Sequence, residues 1–107
     1  EGEQLIYIFA INCEHCWNVV NNVKELAAGG ILPVIGITPS QDYEIERFRR
    51  EFDIQIPIYR YEQKAFFEAF YIWPALYYVR DGIIVGRVDY DVPGLKTLRE
   101  IHFREWG

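Results

Sequence analysis

Two cysteines separated by two residues are the most reactive feature of this sequence. Cys13 and Cys16 are its only cysteines, and Glu14 and His15 lie between them. A thiolate is the nucleophile of disulfide exchange, and a second thiol one helical turn further on can attack the mixed disulfide that results. The spacing therefore predicts a redox-active dithiol in which Cys13 attacks a partner disulfide and Cys16 resolves the intermediate.

The two residues between the cysteines are predicted to tune the redox potential. A positive charge on His15 helps to hold the Cys13 thiolate, whereas the carboxylate of Glu14 acts in the opposite direction. Stabilising the reduced thiolate makes a dithiol more oxidising, and destabilising it makes the dithiol more reducing. Because the two side chains oppose each other, they leave the direction of the reaction open.

The elements on either side of the dithiol are a strand and a helix. Residues 5–10 are nearly all apolar without alternation, which is typical of a central strand covered on both faces. Asn12 is a predicted N-cap, and apolar residues, Trp17 among them, recur at helical spacing from about 14 to 28. Both sulfurs are therefore expected at a helix N-terminus, where amide donors and the helix dipole stabilise a thiolate.

The rest of the chain alternates strand and helix before it ends in a hairpin and a helix. Strand followed by helix favours parallel βαβ units with right-handed crossovers, and Asp-Gly between apolar runs is a strong hairpin signal. The predicted elements are strands at 31–37 and 54–59, a helix with the apolar stripe Ile45, Phe48 and Phe52, a short helix at 65–70, a hairpin of 75–79 and 83–90, and a last helix from Pro93-Gly94 onward.

Size and charge exclude several classes of protein. The chain has 107 residues, enough for one domain, and its 11 Lys and Arg against 16 Asp and Glu give a net charge of -5 without a basic block, which argues against nucleic acid as a partner. No apolar run approaches the roughly 18 residues needed to cross a bilayer, and the first four residues are no signal peptide. We therefore expect a single domain over 1–107, excised from a longer exported or membrane-anchored protein, with any membrane contact made by the missing flanking sequence.

The order of elements around Cys-x-x-Cys, followed by Ile72-Trp73-Pro74 at the start of the hairpin, resembles the thioredoxin superfamily. Within that superfamily the sequence is similar to the TlpA and ResA group of extracytoplasmic thiol-disulfide oxidoreductases, whose pattern the segments 34–38, 49–54 and 78–84 follow. The resemblance implies an α/β fold of the thioredoxin type, with three α/β/α layers and a central mixed sheet of about five strands. It also implies an additional helix and strand, here within 42–59, before the proline.

The same resemblance implies a substrate platform opposite the dithiol. Pro74 is expected to be a cis proline that faces the sulfurs, with an extended substrate segment bound beside it through β-type hydrogen bonds. Trp73 is bulkier than the residue usual in the family at that place, and we expect it to be exposed. Trp73, Pro74 and Trp17 are thus the predicted substrate-binding residues.

A departure from the family pattern concerns the proton of the second thiol. Six residues before the first cysteine, where thioredoxins have a buried acid that relays protons, this chain has Tyr7. Proton transfer to and from Cys16 is then left to water, His15 or Glu14.

Other uses of a Cys-x-x-Cys motif fit less well. Haem attachment requires a histidine where Trp17 follows the second cysteine, and zinc requires further ligands although the only histidines are His15 and His102. A copper-carrying relative and an inert structural disulfide remain as alternatives. In a peroxiredoxin-type peroxidase the peroxidatic cysteine lies in a Thr-x-x-Cys pattern, whereas this chain has Ala10 three residues before Cys13.

The sequence thus predicts a thiol-disulfide oxidoreductase that exchanges disulfides with partner proteins, as a reductase. The implied partners are protein dithiols or disulfides and a second protein that recycles the domain, and no cofactor or metal is implied. The resemblance implies an extracytoplasmic setting in a bacterium, and we expect a monomer. The alternative is a redox-inert thioredoxin-like module of a larger membrane protein or lipoprotein that binds a partner through the surface around Trp73.

Overall fold

The computed structural model describes residues 2–11, 13–30 and 32–101. The elements in these ranges are β1 (Glu3–Ile8), α1 (Glu14–Asn18), α2 (Val20–Gly29), β2 (Val34–Thr38), α3 (Asp42–Phe52), β3 (Ile58–Arg60), α4 (Gln63–Ala69), β4 (Ala75–Arg80), β5 (Ile83–Asp89) and α5 (Leu95–Ile101). The predicted N-cap Asn12, the expected strand start at Ile31 and the second histidine, His102, lie outside the described residues. None of the described helices is both long and apolar enough to cross a membrane.

The described strands form one mixed sheet in the order β3-β2-β1-β4-β5. β1 lies at its centre, parallel to β2 on one side and antiparallel to β4 on the other. β3 extends the parallel half, and β5 extends the antiparallel half. The predicted α/β class with a mixed sheet of about five strands is confirmed.

Alternate residues of β1 and its extension face two different layers of helices. Tyr7 and Phe9 belong to a buried cluster that includes Cys16 and side chains of α2, α3 and α5. Ile8, on the other face, packs in a second cluster with Phe66 of α4. Because successive side chains of a strand point to opposite faces, the central strand is covered on both sides, as its unbroken apolar run predicts.

Both strands of the parallel half other than β1, which are β2 and β3, begin later than the apolar pattern predicts. The strands expected at 31–37 and 54–59 begin at Val34 and Ile58, in each case directly after a proline. Proline has no N–H to donate to the ladder, so regular pairing starts at the next residue. The proline carbonyls still take part, since Pro33 accepts from the Leu5 N–H at 2.9 Å and Pro57 from the Gly36 N–H at 2.8 Å.

The single helix predicted from about 14 to 28 is divided in two. Val19, with φ -100° and ψ 0°, separates α1 from α2. Val20, Val23 and Leu26 of α2 are buried as the helical spacing predicts. Trp17, which belongs to α1, is not buried with them, and its side chain is 40% exposed.

The hairpin of β4 and β5 is confirmed, and it positions the loop that carries Pro74. Asp81 and Gly82 have φ values of 52° and 83°, the two positive angles of a type I′ turn. β1 and β4 pair in a register that places Ile8 opposite Ala75. Residue 74 is therefore beside the end of β1, from which the chain continues to the dithiol.

Candidate active site

The dithiol lies where the chain leaves the central strand and enters α1. Cys13 is the N-cap of α1, and its Sγ accepts a hydrogen bond from the Cys16 N–H at 3.3 Å. The Cys13 carbonyl also accepts from the Cys16 N–H at 3.0 Å, which closes the first turn. Cys13 is partly exposed and Cys16 is fully buried, so only the first sulfur is open to a large partner.

The second sulfur is held in its protonated form. Burial is the main cause that raises the pKa of the Cys16 thiol far above its ordinary value, and a hydrogen bond with the Cys13 sulfur and the charge on Cys13 raise it further. A hydrogen bond with the backbone of Ala10 acts in the opposite direction. Because a thiol is a poor nucleophile, Cys16 can attack only after its proton has been removed.

The side chain of Tyr7 extends from β1 into the buried layer between the sheet and α1. Its ring is fully buried, and its hydroxyl donates a hydrogen bond to the Cys16 carbonyl at 2.8 Å. Burial raises the pKa of this phenol far above its ordinary value, and the charges on Cys16 and Cys13 add to the effect. Tyr7 therefore keeps its proton and acts as a hydrogen-bond donor, not as a base.

The two side chains between the cysteines point to solvent, and one of them is anchored. His15 Nε2–H donates to the Tyr90 carbonyl at 2.6 Å; a carbonyl can only accept, so Nε2 carries the proton. Glu14 is exposed. The loop that contains Tyr90, between β5 and α5, is also joined to α2, because the Asn22 amide donates a hydrogen bond to the Val92 carbonyl at 2.8 Å. These two acceptors could not be predicted from the sequence, because they are backbone atoms about 70 residues further along the chain.

Two backbone hydrogen bonds of Ile11 hold the dithiol loop, which is the segment 11–17 that contains both cysteines. The indole N–H of Trp17 donates to the Ile11 carbonyl at 2.5 Å, and the Ile11 N–H donates to Ser40 Oγ at 3.3 Å. Ser40 is supported in turn by the buried hydroxyl of Thr38, which donates to Ser40 Oγ at 3.2 Å. The sequence analysis does not identify this pair, although two hydroxyl residues at the end of a buried strand are a signal for it.

A surface cavity of about 350 Å³ is lined by residues of α2 and of 53–56 and by none of the residues above, whereas a smaller one of about 280 Å³ adjoins the dithiol loop. The smaller cavity is lined by Ile11, Trp17, Arg47, Phe48, Glu51 and Phe52. Trp17, at the end of the dithiol loop, is thus a partly exposed wall. Among the residues in the described ranges, no three His, Cys, Asp or Glu side chains form a group that could hold a metal ion.

The peptide bond between Trp73 and Pro74 is cis. Pro74 is buried, and Trp73 is only partly exposed because it packs against the rings of Phe66 and Phe67, at centroid distances of 5.7 and 5.3 Å. The expectation of an exposed Trp73 is therefore wrong, and the reason is that α4 places two aromatic rings against it. Cys13 and Trp73 are both packed against the same buried cluster.

Solved structures resemble this chain over most of its length. StoA from Bacillus subtilis superposes with a TM-score of 0.74 at 12% identity, over 92% of this chain and 81% of its own. A secreted Mycobacterium tuberculosis disulfide oxidoreductase homologous to E. coli DsbE gives 0.71 at 13%, over 92% and 77%. A secreted thiol-disulfide isomerase from Corynebacterium glutamicum gives 0.67 at 15%, over 94% and 68%. No family model and no curated protein matches the sequence. The likeness establishes a thioredoxin-like fold.

Proposed function

We propose that this thioredoxin-fold chain, as one domain over 1–107, is a thiol-disulfide oxidoreductase that exchanges disulfides with partner proteins. The observation that carries the proposal is the asymmetry of the dithiol. Cys13 is partly exposed and accepts an N–H bond at its sulfur, while Cys16 is buried one turn behind it. This arrangement supports an attacking thiolate at Cys13 and a protected second thiol at Cys16.

The proposed reduction takes two exchange steps. The Cys13 thiolate attacks one sulfur of the partner disulfide, a bond forms between the two sulfurs, and the other partner sulfur leaves as a thiolate. Cys16 then loses its proton and attacks Cys13 Sγ, which releases the second partner sulfur with the electron pair of the broken bond. The products are a reduced partner and a Cys13–Cys16 disulfide, which a second dithiol protein must reduce for the next cycle.

The surface around the dithiol supplies the proposed contacts to the partner. Trp17 is exposed at the end of the dithiol loop, and the Trp73–Pro74 segment lies at the same end of the sheet as the dithiol. We assign Trp17, Trp73 and Pro74 to substrate binding, and we assign the tuning of the redox potential to Glu14 and His15. The anchoring of His15 on the Tyr90 carbonyl supports the second assignment, because it holds in one place a ring that is two residues from Cys13 in the sequence.

We further propose that the domain works as a reductase outside the cytoplasm of a bacterium, as a monomer. Two of the similar structures are described as secreted proteins, from Mycobacterium tuberculosis and Corynebacterium glutamicum. At 13% and 15% identity the likeness is one of fold, and the secretion of these two proteins supports the proposed extracytoplasmic location.

A redox titration tests the proposal and its direction. We expect the Cys13–Cys16 pair to interconvert reversibly in glutathione or dithiothreitol buffers, and tryptophan fluorescence can follow the change because Trp17 is next to Cys16 in the sequence. A midpoint near about -270 mV supports a reductase, and one near about -120 mV makes the domain an oxidant. A titration without a two-electron transition, matching that of Cys13→Ser, would leave the redox-inert binding module in its place.

A further inference from the structure

The fully buried phenol of Tyr7 has one hydrogen-bond partner that links it to the dithiol. The ring stacks on Phe9 with centroids 4.5 Å apart and 4° between the planes, which fixes its direction within the layer. From this position its hydroxyl reaches the Cys16 carbonyl at 2.8 Å. A residue of the central strand thus holds the backbone of the second cysteine.

The Cys16 carbonyl needs a donor from outside its helix. α1 ends at Asn18, and Val19 interrupts the helical path before α2 begins. The last four carbonyls of a helix have no partner within it, and a buried carbonyl without a donor is costly. Cys16 is within this last turn and is fully buried, so the Tyr7 hydroxyl satisfies a carbonyl that water cannot reach.

We propose that Tyr7 is a positioning residue that holds Cys16 in place for the resolving step, an inference that rests on the proposed function. In that step the Cys16 thiol loses its proton, and its sulfur attacks Cys13 Sγ in the mixed disulfide. The Cys13–Cys16 bond forms, the bond from Cys13 to the partner sulfur breaks, and the partner sulfur leaves with the electron pair and takes up one proton, which balances the proton that Cys16 has lost. Tyr7 moves no proton in this step; its hydroxyl fixes the helix end from which the attack starts.

The aromatic disulfide 5,5′-dithiobis(2-nitrobenzoate) separates the two exchange steps in the full chain. Attack by Cys13 releases one coloured thiolate at a rate that depends on reagent concentration, and resolution by Cys16 releases a second at a rate that does not. For Tyr7→Phe, which keeps the ring and removes the hydroxyl, we expect the first rate within about twofold of wild type and the second about tenfold slower.

Tyr78→Phe is the matched control. Tyr78 is also fully buried, on β4, and its hydroxyl bonds the carboxylate of Glu3 at the far end of the sheet. We expect both rates of this variant to stay within about twofold of wild type, although it too loses a buried phenol hydroxyl. Equal slowing of the second phase in both variants would overturn the proposal, because general loosening would then explain it.

An unchanged second rate in Tyr7→Phe would also overturn the proposal. If wild type releases neither thiolate, the proposed function itself fails and the role of Tyr7 falls with it, which distinguishes the two outcomes. Should Tyr7→Phe not fold, NMR of the wild type decides: we expect a slowly exchanging Tyr7 hydroxyl proton close to the Cys16 backbone, and its absence would refute the anchoring contact.

Discussion

Replacing Cys16 with serine is expected to stop turnover and to leave the variant joined to its substrate. Cys16 is fully buried, so a serine of similar size fits the site without opening it to solvent. The hydroxyl does not displace a thiolate from a disulfide, and the mixed disulfide at Cys13 therefore has no internal exit. With insulin as the disulfide substrate, mass spectrometry should find the variant bound to an insulin chain through Cys13.

Cys13→Ser is the control for that trap. It retains the buried Cys16 thiol, whose pKa is raised chiefly by burial, and should therefore accumulate on the order of 100-fold less adduct. Similar adduct levels in the two variants would mean that either sulfur can attack first. That outcome would remove the asymmetry on which the assignment of the two roles is based.

The two thiols of the reduced wild type are expected to differ by at least about 100-fold in their rate of alkylation by iodoacetamide at pH 7. Cys13 is partly exposed and Cys16 is fully buried, and only the thiolate reacts. Because the pKa of Cys16 is raised, its thiol stays protonated at neutral pH, and its thiolate fraction grows tenfold with each unit of pH below that pKa. Raising the pH should therefore speed the alkylation of Cys16, which stays protected at neutral pH.

Peptide mapping can read the two sites separately because Glu14 lies between the cysteines and allows cleavage after it. The control is the same protein in denaturant, where burial is lost and the two rates should come within a few-fold of each other. A folded protein in which Cys16 reacts as fast as Cys13 at pH 7 would contradict the buried, protonated state of the second thiol.

Much of the site could be predicted because its parts are local in sequence. The apolar run before Cys13 and the helical spacing after it placed the dithiol at a strand-to-helix turn, and Asp81-Gly82 identified the hairpin. The parallel half of the sheet follows from the alternation of strands and helices, whereas the mixed sheet of about five strands is what the resemblance to the thioredoxin superfamily implies. Such signals depend on neighbours a few residues apart, which a single sequence displays directly.

What the sequence did not reveal depends on contacts between distant segments. The break at Val19 is hidden because the apolar spacing continues through it, and the anchoring of His15 depends on a backbone carbonyl at Tyr90. A place beside the dithiol predicts an exposed Trp73, and nothing in its own segment indicates that two rings of α4 pack against it. The sequence identifies Tyr7 only as the residue that stands where thioredoxins have a buried acid. Its hydrogen bond to the Cys16 carbonyl depends on the fold.

The reduction of insulin by dithiothreitol tests the central claim most directly, since it measures whether the dithiol transfers electrons to a protein disulfide. Purified wild type should accelerate the precipitation of the reduced insulin chains, and Cys13→Ser should leave the reaction at the rate of dithiothreitol alone. A wild type no faster than Cys13→Ser would contradict the assignment of this thioredoxin-fold chain to disulfide exchange.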